Sequence, residues 1–422
     1  MICIGHVDAW EALDSRGHPT VGCRVELSDG AVGRSFVPTG ASTGNFERAD
    51  IRDGGERYGG LGVQRAVRLI TQDWAVRLVG MQATAIEAAL DEVPDAPSNV
   101  SLALSQATVK ALAAAHRLPV WQYLAESTGS APTLPTPMVN IFSGGRHAEG
   151  GLRVQDFLAI PLAATSMAEA VESVWRIRRE AARLVAQRYG TLQSKLVADE
   201  GGLAIPGTDE TEPLAMLAEA IDMSGVAAGI AIDVAATQLD DVEAFGQVLQ
   251  EWVTTYPIVS VEDPAGDDDW AAWTVLKRRL ESVQLVGDDL FATTAERVAR
   301  GARLAAANAV LIKPNQAGTL ARAYAAVEAA RSCGFAQIVS ARSGDTEDDL
   351  IADLAVGWGA GQIKIGSVHR SERLAKYNRL LEIEALHPQL PFCRWAPPPG
   401  AGQAEPGQAR SVSRPGAESE EG

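Results

Sequence analysis

The sequence predicts an α/β protein, a small α+β domain at the N-terminus followed by an eight-stranded β/α barrel. Three observations carry that prediction. From Ile4 to Val37 short β-like runs, Thr20 to Leu27 and Ala31 to Val37, alternate with turn signals such as Asp29-Gly30, the pattern of an antiparallel meander. Apolar residues then recur at spacings of three and four from Val63 to Leu90 and from Val100 to Leu124, which is the helical period. Further on, short apolar runs alternate with Ala-rich amphipathic stretches, the rhythm of βα units. A chain of 422 residues also exceeds what one hydrophobic core usually holds.

Taken in order, residues 1–126 are expected to form the α+β cap. Residues 127–137, with Gly129, Pro132, Pro135 and Pro137, break both periodicities and read as a linker. Residues 138–390 carry the barrel. Its runs are VQDFLAI around Asp156, then runs ending at Glu200, Asp233, Glu262, Asp288, Lys313, Arg342 and Lys364, these last seven spaced 22 to 33 residues apart. Residues 391–422, mostly small and polar beyond Pro399, are expected to be a disordered tail.

Charge and cysteine usage narrow the function classes. A net charge of −17 repels nucleic acid and anionic membrane surfaces, so neither is an expected partner. Cys3, Cys23, Cys333 and Cys393 are scattered without zinc-site or disulfide spacing, which suits a reducing cytoplasm. Met1 to Gly17 lacks the apolar centre of a signal peptide, and no run of about 18 apolar residues would span a bilayer. A cytoplasmic protein is expected.

In a closed barrel, side chains at the C-terminal strand ends converge on one mouth. Each charged end has an ordinary reading as the point where a strand meets water, but eight ends of mixed sign point to a shared site. Asp233, Glu262 and Asp288 would offer hard oxygen ligands on neighbouring strands, a magnesium set rather than a zinc one. Lys313 and Lys364 beside Arg342 would place three cations at the mouth, where mutual repulsion lowers a lysine pKa toward that of a base. Glu200 would face them as an acid. Acid and base on opposite walls suit an anti elimination.

The motifs then resemble one family. LDSRGHPTV (Leu13 to Val21), PTGASTG (Pro38 to Gly44), ADEGG (Ala198 to Gly202), IDVAA (Ile232 to Ala236), YPIVSVEDP (Tyr256 to Pro264), QLVGDDLF (Gln284 to Phe291), LIKPNQAGTL (Leu311 to Leu320) and RSGDTED (Arg342 to Asp348) are similar to enolase, in the family's order. The resemblance implies an enolase-type barrel and an Mg²⁺-dependent lyase that eliminates water from 2-phosphoglycerate or a similar substrate. It implies Asp233, Glu262 and Asp288 as ligands of the tighter Mg²⁺, with a second ion arriving with substrate. Lys313 would be the base and Glu200 the acid, as in the Lys base and Mg²⁺-stabilised enediolate described generally for this superfamily. Lys364 would bind the substrate carboxylate, and Arg342 and Ser343 the phosphate. Ser42 would sit on a loop that closes over the site and ligate the second metal; a phosphate-binding P-loop is the rival reading of Gly40 to Gly44, which lacks the GxxxxGK[ST] pattern. His147 matches a second closing loop and Asp156 a carboxylate near the leaving hydroxyl. A homodimer acting on a small anionic phosphorylated substrate is implied.

Three positions depart from the family pattern. Ala341 replaces an active-site histidine, Asp156 a glutamate, and Arg146 the usual Ser or Glu before His147; the segment from Asp233 to Glu262 is also short. These changes fit a second expectation, a carboxyphosphonoenolpyruvate synthase of phosphinothricin-type biosynthesis, whose extra anionic group Arg146 would bind. A non-catalytic homologue, or a racemase or cycloisomerase of the wider superfamily, fits less well because Lys313, Glu200 and the Ser42 motif are all present.

Overall fold

A computed structural model describes residues 1–40, 44–93, 95–148, 152, 154–236 and 242–397. Strands β1 (Ile4–Leu13), β2 (Pro19–Leu27) and β3 (Val32–Phe36) form the expected antiparallel meander. Its inner face packs on the helix Ser98–Ala115, whose Ala, Ser and Leu side chains are buried nearly all round. The approach is so close that a Cβ on Gly33 would lie 2.0 Å from the carbonyl oxygen of Ala107, so only glycine fits there. The helix also docks the cap onto the barrel. Ser98 Oγ donates to the carbonyl of Asn315, in the short helix Pro314–Ala317 that follows Lys313, and Ser101 Oγ donates at 2.8 Å to that of Gly318, the residue that caps it.

The barrel strands are β4 (Thr136–Ser143), β5 (Asp156–Pro161), β7 (Ala228–Asp233), β8 (Ile258–Glu262), β9 (Gln284–Gly287), β10 (Ala309–Ile312), β11 (Ala336–Ser340) and β12 (Gly361–Lys364), with β12 pairing back to β4. A two-residue strand, β6 (Leu203–Ala204), hangs on β4. Inside, Met138, Leu158, Ile160, Ala231, Val286, Ala309, Leu311 and Ile338 form one apolar cluster, so the barrel is filled rather than hollow.

The structure corrects the sequence reading in four places. β4 begins at Thr136, inside the stretch read as linker, and was not among the charged runs because it ends on Ser143. The run to Glu200 is not a barrel strand; Glu200 lies in a turn, and Leu196 is exposed where a strand would bury it. β5 runs antiparallel to both neighbours, so Asp156 reaches the mouth from the start of its strand, not the end. Residues 391–397 are held rather than loose. The Cys393 amide donates to the Leu134 carbonyl at 2.8 Å, and Trp395 packs against the inner cluster. The rest of the tail, from 398, lies outside the described residues. Among the described residues, no helix is long and apolar enough to cross a membrane.

Candidate active site

Parallel strands ending together bring the charged residues to one rim. Asp233, Glu262 and Lys364 are the last residues of β7, β8 and β12, while Asp288, Lys313 and Arg342 follow β9, β10 and β11 by one or two residues. A narrow polar cavity at this rim is lined by Glu47, His147, Gln155, Glu200, Asp233, Asp263, Asp288, Asp289, Lys313, Ala341, Arg342, Ser343 and Lys364. Glu262 lies just beneath, bonded to Lys364. A wider groove beside β3 is lined by Arg24, Lys110, Arg379, Asp349 and Asp353, and its Arg24, Lys110 and Arg379 are already ion-paired, Arg379 with Asp353.

Glu200 reaches the cavity because Gly202 lets its turn press on β4, while Gly201 lets it press on the His369 carbonyl. A Cβ on Gly202 would fall 2.6 Å from both Asn140 Oδ1 and Ser143 Oγ. Glu200, His147 and Asp156 thereby form one tight buried group. His147 Nδ1 lies 3.0 Å from Asp156 Oδ2, a charge contact outside hydrogen-bond geometry, while Asp156 Oδ1 accepts from Ser143 Oγ at 3.0 Å and from Asn140 Nδ2. Burial alone would depress the imidazole pKa; the Asp156 and Glu200 carboxylates more than reverse this and push it up to about 9. Burial raises the Glu200 pKa, but His147, Arg373, Lys364 and Lys313 outweigh it and hold the group ionised. In the ring of eight strands β10 is four steps from β5 in either direction, so Lys313 faces this group across the mouth.

The opposite sign pattern holds at the floor. Lys364 Nζ lies 2.7 Å from Asp233 Oδ2 and 2.7 Å from Glu262 Oε2, and Gln155 Nε2 donates to Asp233 Oδ2 at 3.1 Å. Lys313 Nζ donates to Asp288 Oδ2. Burial would lower the Lys313 pKa, yet Asp288 raises it above the ordinary lysine range. This reverses the lowered pKa expected from its cationic neighbours: the carboxylate in contact outweighs them. Arg342 is taken up by Glu47, Nη1 to Oε2 at 2.9 Å and Nη2 to Oε1 at 3.3 Å, and by Asn315 Oδ1 at 2.8 Å.

Sequence reasoning missed Glu47, Gln155, Asp263 and Asp289. Three of them sit within or beside motifs already noted, Asp263 in YPIVSVEDP, Asp289 in QLVGDDLF and Glu47 just after PTGASTG, but without a charged strand end to mark them. Asp263 Oδ1 and Oδ2 accept the backbone amides of Asp288 and Asp289 at 2.9 and 2.8 Å, which fixes the turn carrying Asp288. Ser42 lies outside the described residues. Arg146 falls in the short helix Gly145–Ala148, its side chain not described. Ala341, 5% exposed, puts a methyl group on the cavity wall at the position beside Arg342.

The donor set fits a hard divalent cation. Glu262 Oε1 is buried without a hydrogen-bond partner. Burial, then neighbouring carboxylates, push Glu262 and Asp263 well above the usual carboxylate range and Asp289 up to about 7. Such crowding is what a bound cation relieves. Among the described residues Asp263, Asp288 and Asp289 bring three carboxylates within 4.8 Å of one another, while Asp233 and Glu262 share the Lys364 amine and Asp288 leans on Lys313.

Comparison with known proteins accounts for both halves. Residues 4–124 match the family model for the enolase N-terminal domain, and residues 131–244 and 238–389 that for the enolase C-terminal TIM barrel domain. The chain is 43% identical over 406 residues to the enolase of Methanopyrus kandleri, covering 90% of this chain and 94% of the relative. It is 42% identical over 418 residues to the enolase of Acidothermus cellulolyticus, covering 91% and 94%. With cap and barrel both matched along their length, and an acid group facing a lysine across the mouth, the chain belongs to the enolase family and is a hydro-lyase of that type.

Proposed function

We propose that the enzyme removes water from 2-phosphoglycerate to give phosphoenolpyruvate, with Mg²⁺ bound. The observation that carries this reading is Lys313 facing the His147–Asp156–Glu200 group across one buried cavity. Lys313 Nζ takes the proton from the carbon beside the substrate carboxylate. Glu200 gives a proton to the departing hydroxide. Lys364 pairs with the substrate carboxylate, and Arg342 and Ser343 hold the phosphate, with His147 and Asp156 lining the leaving-group side. Asp233, Glu262 and Asp288 would hold the tighter Mg²⁺ and Ser42 the second. Ions held there would supply positive charge to offset the negative charge that develops as the carbon loses its proton.

Electrostatics support these roles. Burial and the Arg342 and Lys364 charges act to lower the Lys313 pKa, the direction a base needs, and it is the Asp288 and Glu262 carboxylates that hold it up. An arriving phosphate and carboxylate add negative charge near Glu200, which favours its protonated form. The reading includes a cytoplasmic homodimer. The carboxyphosphonoenolpyruvate reading has no described contact in its favour, since the Arg146 side chain is not described. Product analysis with 2-phosphoglycerate, with and without Mg²⁺, tests the assignment; turnover undiminished by exhaustive chelation, or no phosphoenolpyruvate at all, would overturn it.

A further inference from the structure

Arg297 lies outside the cavity, yet it joins three of the loops that form its rim. Its Nε donates to the Leu290 carbonyl at 2.6 Å, in the loop that carries Asp288, and its Nη2 donates to the Asp267 carbonyl, in the loop after Asp263. Its guanidinium carbon stands 3.6 Å from the centre of the Phe46 ring. Next to Phe46, Asn45 Nδ2 donates to Asp267 Oδ2 at 2.8 Å, and Glu47 on the other side closes on Arg342. Glu47 Oε1 also accepts from the Gly44 amide at 3.0 Å and from Gln316 Nε2 at 3.3 Å, and that same Gln316 nitrogen donates to Asp288 Oδ1 at 2.9 Å. Residues 44–47 thus lie between a cation outside the site and a cation inside it. Phe46 is 41% exposed, so its ring is not part of the core and hydrophobic burial does not explain its position.

We propose that Arg297 is a positioning residue that clamps Phe46 and so holds Glu47 against Arg342. A guanidinium over an aromatic face is a directional contact, and Arg297 is itself fixed by two carbonyls, so the ring is held from a rigid point. Glu47 in turn aligns the planar fork of Arg342 together with Asn315 Oδ1. The consequence for substrate rests on the reading of Arg342 as a phosphate ligand. The clamp itself does not.

The full-length Phe46→Ala, Phe46→Tyr and Arg297→Leu proteins and the Phe46→Ala/Arg297→Leu double variant separate the two. Hydrogen exchange of the peptide spanning residues 44–48 reads the clamp directly, because the Gly44 and Arg48 amides are bonded to Glu47 Oε1 and the Gln316 carbonyl. Protection should fall in Phe46→Ala and Arg297→Leu and be kept in Phe46→Tyr. With 2-phosphoglycerate, Phe46→Ala should raise KM by about three- to tenfold with kcat within about twofold, the scale of one cation–π contact used in binding. Phe46→Tyr should restore KM, and the double variant should be no worse than Arg297→Leu. Unchanged protection in Phe46→Ala overturns the clamp whatever the substrate. Lost protection with unchanged KM, or additive defects in the double variant, overturns its link to Arg342. Absence of turnover in the parent enzyme is a failure of the substrate assignment, and exchange still decides the clamp.

Discussion

His147 and Asp156 share a buried charge contact, Nδ1 to Oδ2 at 3.0 Å, with both side chains removed from solvent. The imidazole pKa stands at about 9, pushed up by Asp156 and Glu200 against its burial, whereas burial raises the Asp156 pKa. The pair therefore keeps its proton through neutral pH. A histidine whose folded pKa exceeds its unfolded value adds stability in full below the unfolded pKa, about 6.5, and loses it as pH rises through the folded one. We expect urea midpoints to fall between pH 6.5 and 9 by the equivalent of about 1–3 kcal/mol, and His147→Gln to flatten that slope. A parent slope matching that of the variant would exclude the pair as its source.

Lys313→Ala and Glu200→Gln should fail at different bonds. Each should lower kcat by about 10²–10⁴-fold, the usual worth of a positioned acid or base. Recovered substrate examined by NMR in deuterated water should show no exchange at the carbon beside the carboxylate in Lys313→Ala and residual exchange in Glu200→Gln. Equal exchange in both would contradict the division of roles.

Among the described residues Lys364 is the one cation paired with Glu262 and with Asp233, and its loss leaves both buried carboxylates without a counterion. Lys364→Met should destabilise the ion-free protein by about 3–5 kcal/mol, the scale of breaking a buried ion pair. Titrating in Mg²⁺ should recover much of that loss in the variant and add less to the parent. Thermal unfolding with and without the ion measures both, and a variant indifferent to Mg²⁺ would argue against these acids as its ligands.

Asp263 has both oxygens committed to backbone amides. Asp263→Ala should leave those amides unpaired at about 1–3 kcal/mol each. Because they belong to Asp288 and Asp289, calorimetric titration should show Mg²⁺ affinity falling as well. Normal affinity in a folded variant would mean the turn holds its shape without Asp263.

Much of this site was legible because chemistry repeats at strand ends. Asp233, Glu262, Asp288, Lys313 and Lys364 each close or follow a short apolar run, and a barrel gathers such ends whatever their order. What escaped did so for physical reasons. β4 ends on Ser143 and carries no charge at its tip, so a search for charged ends passes over it, and the run to Glu200 imitates a strand while its leucine faces solvent. The direction of β5 is invisible to periodicity, since a strand alternates its side chains alike in either sense. Glu47 is set by a cross-domain contact with Arg342, and the lysine pKa by a carboxylate that only the fold brings near.

Barrel closure also sets an order of events for the growing chain. β4 and β12 meet where Thr136 lies opposite Gln362, so the ring shuts only when nearly the whole barrel has been made. Contacts between such distant segments are entropically costly and form slowly. Until β12 emerges from the ribosome, Asp233 and Glu262 lack the Lys364 amine that pairs with both. The last barrel strand to be synthesised is thus the one that both closes the ring and neutralises the floor of the site.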